Sequence, residues 1–143
     1  MTQVAFHFNA PDKLAYVCRF ARKALRHGSK LVIHGGGPTL KALSPRLWSL
    51  APAEFLAHAG EGDEAQLLSL SPIALLESLD AAPHHDLLLN LGEQVPPQFQ
   101  SFARVVEVVS ATDEQDRWFA RQRWKHYQAQ GLEIVRHNLV LKG

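Results

Sequence analysis

The chain has 143 residues, 46% hydrophobic and 20% charged, with a formal net charge of +1, a size and composition that fit one globular domain able to bury a core without disulfide or metal staples. No run approaches the roughly 18 apolar residues of a membrane helix, and the first residues carry no basic segment leading into an apolar stretch, so neither a membrane span nor a signal peptide is expected. The single cysteine, Cys18, can close no internal disulfide, which makes a reducing cytoplasm the expected compartment.

In chain order, Val4, Phe6 and Phe8 alternate with Ala5 and His7, a period-two pattern that predicts a first strand, and Asp12 stands where it can cap a helix. Over residues 13–27 the apolar positions recur at helical spacing, with Gly28 as the stop. Residues 30–34, Lys-Leu-Val-Ile-His, read as a buried strand, completing the strand-helix-strand unit that builds parallel sheets. Gly35-Gly36-Gly37-Pro38-Thr39 then opens a second helix predicted over residues 39–50. A glycine turn at a helix N-terminus can hold a phosphate. Here, however, neither the following Gly-Lys-Ser/Thr of a P-loop nor a spaced dinucleotide fingerprint is present, so tight strand-to-helix geometry is the expected role.

Further along, residues 59–64 form an acidic, glycine-rich loop, residues 66–70 a predicted strand and residues 72–79 a predicted short helix. Residues 86–91 and 104–109 read as buried strands, the second rich in valine. Pro96-Pro97 breaks regular structure between them. Residues 110–114 supply the cap and acidic first turn of a C-terminal helix reaching Gly131, and residues 132–135 are predicted as an edge strand. The pattern is α/β: a largely parallel sheet with helices on both faces.

The charge is unevenly distributed. Residues 1–50 sum to +7, residues 51–116 to −11 and residues 117–143 to +5; surface pairing between these blocks is the expected outcome of folding. Chemistry of the catalytic kind is hard to find. The eight histidines fall at no metal-ligand spacing, no Gly-x-Ser-x-Gly elbow occurs, and Cys18 sits in the apolar pattern of the first helix. No metal, no cofactor and no catalytic residue is expected.

What stands out is the C-terminal helix. At about 100° per residue, Arg117, Gln128, Arg121 and Lys125 fall within roughly one quarter of the helical wheel. Trp124 lies at one border of that stripe and Trp118 at the other. A charge run is ordinarily a solvated helix face, but Trp118, Phe119, Trp124 and Tyr127 are more aromatic rings than one buried stripe needs; two chemistries fit a basic stripe flanked by indoles. One is single-stranded nucleic acid, with cations on phosphates and rings on bases. The other is an acidic peptide, with Arg117, Arg121 and Lys125 taking carboxylates and Trp124 walling an apolar pocket. The planar guanidinium fork suits a carboxylate, and the net charge of +1 lacks the broad positive footprint of a nucleic-acid binder, which favours the peptide.

At these residues the chain resembles the chi subunit family of bacterial DNA polymerase III holoenzyme. Ala120-Arg121-Gln122-Arg123-Trp124-Lys125-x-Tyr127 followed by Gly131 is similar to that family's end helix. Leu47-Trp48, Pro52-Ala53-Glu54-Phe55, His58, Ala59-Gly60-Glu61-Gly62 and Gly28-x-Lys30 support it in the same order along essentially the whole chain. The resemblance implies one three-layer, Rossmann-like α/β domain over residues 1–143, acting as a non-catalytic accessory subunit. It implies two partners: the psi subunit of the clamp-loader complex, and the acidic C-terminal tail of single-stranded DNA-binding protein. Carried over by position, tail binding falls on Arg117, Arg121, Trp124 and Lys125, and the psi contact on Phe55 and Trp48. Arg117 stands where the best-known member has lysine and Trp124 where it has tyrosine, so charge and aromaticity persist. A direct single-stranded nucleic-acid-binding module is the alternative.

Overall fold

The alternation of Val4, Phe6 and Phe8 becomes strand β1, Gln3–Ala10, in a computed structural model that describes residues 2–49, 58–60 and 72–139. Helix α1, Lys13–Arg26, starts as the sequence predicts: the Asp12 carboxylate accepts from the Ala15 N–H at 3.1 Å. Gly28 ends it at φ +71°, where a side chain is disfavoured. Next come β2 (Leu31–His34), α2 (Gly37–Ser49), β3 (His58–Gly60), β4 (Ile73–Leu76), β5 (Leu87–Asn90), β6 (Arg104–Ser110), α3 (Glu114–Ala129) and β7 (Ile134–Asn138). Short 3-10 turns lie at Leu79–Ala81 and Phe99–Ser101.

These strands form one seven-stranded sheet in the order β3-β4-β2-β5-β6-β1-β7, with every pairing parallel. Helices α1 and α2 cover one face, burying Val17, Cys18, Ala21, Leu43 and Leu47 against Ile33, Leu75, Leu89 and Val108. Helix α3 covers the other, where Ala120 and Tyr127 meet Val4, Phe6, Val105 and Val109. The expected three-layer α/β architecture is therefore present. Cys18 is a packing residue, and burial pushes its thiol up, away from the reactive thiolate.

Four expectations need correction. Residues 72–79 do not form a helix; Ile73, Ala74, Leu75 and Leu76 are all buried and form β4. A strand covered on both faces is apolar at every position, which hides the two-residue period that marks a strand. His58–Gly60, placed at the edge of a loop by its glycines, is instead a short strand paired with β4. The second helix begins at Gly37 rather than Thr39, with Pro38 in a first turn where its missing N–H leaves no bond unmade. The edge strand starts two residues later than predicted, at Ile134, and runs to Asn138. The predicted strand at 66–70 and Phe55 lie outside the described residues, and of Trp48 only its backbone place in α2 is described.

The Glu77 carboxylate packs against Gly37, so the first turn of α2 already faces an anion of this chain. This agrees with a geometric role for the glycine turn. On the same sheet face, His7 Nδ1 pairs with the Tyr16 hydroxyl. Burial first, then His137 and Lys23, push the His7 imidazole down to about 4 from its ordinary 6.5. Between those values the unfolded chain binds the extra proton, so this contribution to stability is complete above pH 6.5 and is lost as pH falls towards 4. The expected result is that the fall in Tm from about pH 7 to about pH 4.5 is smaller for His7→Phe than for the parent protein. Equal falls would refute the buried neutral imidazole.

Candidate functional site

The start of α3 is fixed by its own first turn. Asp113 caps it, accepting from the Gln115 and Asp116 N–H groups at 3.0 and 3.1 Å. Ser110 Oγ accepts from Thr112 and Asp113 at 3.1 and 3.0 Å, turning β6 directly into the helix. Asp116 then accepts from the Ser110 N–H at 2.8 Å and pairs with Lys13 Nζ at 2.7 Å, tying α3 to α1. That ion pair joins the basic N-terminal block to the acidic middle, as the charge blocks lead one to expect.

A second tie, which the sequence did not reveal, lies under the helix. Arg123 and Glu107 are 2% and 0% exposed, with Arg123 Nε donating to Glu107 Oε1 at 2.8 Å. The Tyr127 hydroxyl donates to Oε2 at 2.6 Å, and Asn90 Nδ2 reaches both carboxylate oxygens at 3.2 and 3.0 Å. Arg123 Nη1 also donates to the Glu93 carbonyl at 3.0 Å. Burial drives the Glu107 carboxyl up, while Arg123, Tyr127 and Asn90 oppose that shift. Burial and the adjacent Glu107 both raise the Tyr127 phenol. The local signal was a lone acid in Val105-Val106-Glu107-Val108-Val109 together with Arg123 and Tyr127 one turn apart. These bonds clamp α3 onto β6 and β5 and so fix which side it turns outward.

Beside the clamp, α3 and the β1/β7 edge enclose a cleft of about 410 Å³. Phe6, Phe8, Val109 and Ala120 give it an apolar floor. Trp124 forms a wall, its ring centroid 5.0 Å from that of Phe6 at an interplanar angle of 58°. Arg117 and Arg121 from α3 and Arg136 from β7 also line it, and among the described residues no carboxylate does. Arg136 is placed by register, Phe6 opposite Arg136 and Val4 opposite Ile134. At the end of the cleft β1 bulges: Asn9 adopts φ +67° and its Nδ2 donates to Asn138 Oδ1 at 2.9 Å. Bulges that re-aim a strand are frequent next to functional sites.

The structure thus brings together Arg117, Arg121 and Trp124 from the predicted set and adds Arg136. Lys125 is exposed and does not line the cleft. Trp118, 50% exposed, stands on a different side of the helix, its ring 5.2 Å from Phe119, and lines a separate hollow of about 300 Å³ with Glu93 and His126. Among the described residues the cleft holds no histidine, cysteine or acid, and the one hydroxyl among them, Ser110, is engaged with backbone N–H groups. Its chemistry is that of a receptor: guanidiniums for anionic oxygens over a bed for an apolar or aromatic group. Among the described residues no group of three His, Cys, Asp or Glu is arranged to hold a metal, and no helix is long and apolar enough to cross a membrane.

A family model described as DNA polymerase III chi subunit, HolC, matches residues 1–135. The DNA polymerase III subunit chi of Pseudomonas aeruginosa is 31% identical over 144 residues, covering 97% of this chain and 98% of that protein. The protein of the same name from Haemophilus influenzae is 28% identical over 124 residues, covering 85% of this chain and 84% of its own length.

Proposed function

The chain belongs to the DNA polymerase III chi subunit family, and we propose that it is a non-catalytic, cytoplasmic accessory subunit whose cleft seats the acidic C-terminal tail of single-stranded DNA-binding protein. The observation that carries this reading is the cleft itself, in which three guanidiniums and an indole surround an apolar floor with no acid among the described residues that line it. A tail that ends in phenylalanine after acidic residues matches it group for group. The ring enters between Trp124, Phe6 and Phe8, the terminal carboxylate meets Arg121 and Arg136, and Arg117 takes an upstream acid. Lys125, exposed one turn beyond Arg121, contributes to the approach of the acidic segment rather than to its seat.

A single tail held this way binds weakly, and a tetrameric partner offering several tails gains by effective concentration. In this reading the second face of the bridge meets the psi subunit through Phe55 and Trp48, which rests on the family resemblance. The test is a calorimetric titration with the tail peptide as the free acid and as the C-terminal amide. The free acid should bind about tenfold or more tightly, the scale of one charge-assisted hydrogen-bond pair. Equal affinities would show that the terminal carboxylate is not what the guanidiniums hold.

A further inference from the structure

The tail cleft makes no use of α1, the most basic element of the chain. Its sequence KLAYVCRFARKALR contains five Lys or Arg and no acid. Arg19, Lys23 and His27, successive turns of one stripe, are exposed. They wall a groove of about 680 Å³ that runs between α1 and the sheet edge formed by β1 and β7 and ends at Arg104. His7 and His137 lie on its floor, their rings 4.6 Å apart. Ala5 and His7 pair with Val135 and His137, whereas Phe6 pairs with Arg136. Successive residues of a strand face opposite ways, so the groove and the tail cleft open on opposite faces of the sheet, and they share no lining residue.

Among the described residues no Asp or Glu lines the groove, and Arg19, Lys23 and Arg104 form no ion pair with any of them. Rings interleave with the cations. The Arg19 guanidinium lies 5.9 Å from the Tyr16 ring centroid, and the Phe20 ring is 6.4 Å from that of Tyr16. We propose that this groove binds single-stranded nucleic acid, with Arg19, Lys23 and Arg104 on backbone phosphates and Tyr16 and Phe20 against bases. Tyr16 to His27 spans roughly 16 Å at about 1.5 Å per residue. At roughly 3.4 Å per charge along a stacked strand, that length accepts about four or five nucleotides, within the range of single-strand sites. A peptide carboxyl terminus wants guanidiniums converging on one closed apolar seat, which the tail cleft offers. The groove instead spreads Arg19, Lys23 and Arg104 along its length beside the rings of Tyr16 and Phe20, charge and ring both being what a polynucleotide presents. The chain would then hold the coating protein's tail on one sheet face and a stretch of the strand on the other.

Fluorescence anisotropy of a labelled oligothymidylate, measured from low to moderate salt, tests the proposal. The parent protein should bind with a log-log salt slope of about −2, as expected for three phosphate contacts on a single strand. The combined variant Arg19→Ala, Lys23→Ala, Arg104→Ala should bind at least about tenfold more weakly with a flatter slope, while still binding the tail peptide, which shows that it is folded. Arg117→Ala with Arg121→Ala should leave oligonucleotide binding unchanged. The proposal is overturned if the parent protein does not bind at low salt, if the groove variant binds as well as the parent, or if only the cleft variant loses binding. Displacement of the oligonucleotide by tail peptide in the Arg117→Ala, Arg121→Ala background would likewise overturn it and assign the groove to an acidic peptide.

Discussion

Arg123→Ala is expected to lower the unfolding free energy by about 3–5 kcal/mol, the scale for removing one partner of a buried ion pair. Glu107, with 0% of its side chain exposed, then loses the one charged partner it has among the described residues and keeps the hydrogen bonds of Tyr127 and Asn90. The loss comes from an uncompensated buried carboxylate, so it should shrink when the charge goes with its partner. Combining Glu107→Gln with Arg123→Met removes both charges and leaves an amide for Asn90 and Tyr127. That double variant should be more stable than Arg123→Ala by at least about 2 kcal/mol. Urea unfolding reads this as a shift in midpoint at constant m. A loss below about 1 kcal/mol for Arg123→Ala would mean that the clamp does not hold α3 as described.

Arg121→Ala is expected to weaken binding of the tail peptide about ten- to hundredfold, from the roughly 1.5–3 kcal/mol of a hydrogen bond to a charged group. Arg121 is exposed, so Tm should move little. Arg121→Lys keeps the charge but loses the two-pronged donor and should fall between. Trp124→Ala is a less clean probe, because its ring packs on Phe6 and truncation disturbs the sheet face as well as the cleft. Trp118→Ala should leave affinity within about twofold, since that indole lies outside the cleft and surface changes away from a site are small.

What the sequence revealed follows the range of the interactions involved. Helical periodicity is local, so Arg117, Arg121 and Trp124 could be placed on neighbouring arcs of one helix before any tertiary structure was known. Arg136 could not, because it enters the cleft through the pairing of β7 with β1, in which Phe6 lies opposite Arg136 across almost the whole chain. No local pattern reports that register. Arg123 is a related case: the wheel puts it off the basic stripe, but its burial depends on Glu107, which reaches the helix from strand β6. The α/β class was legible because helical and apolar segments alternate. β4 was not, since Ile73–Leu76 is buried at all four positions and shows no period. The wheel set Trp118 and Trp124 at the two borders of one basic stripe. Six residues apart at about 100° each, they face directions about 120° apart, and of the two Trp124 alone lines the cleft.

The account rests on the tail occupying the cleft between α3 and the β1/β7 edge. Two-dimensional NMR of the ¹⁵N-labelled protein titrated with the tail peptide tests this most directly, because the indole N–H signals of Trp118 and Trp124 report on two sides of the same helix. The prediction is that the Trp124 signal and the backbone amides of Arg121 and Arg136 shift together with one saturation curve while Trp118 stays in place. Shifts confined to Trp118, or to α1 and the groove beside it, with Trp124 unmoved would contradict it.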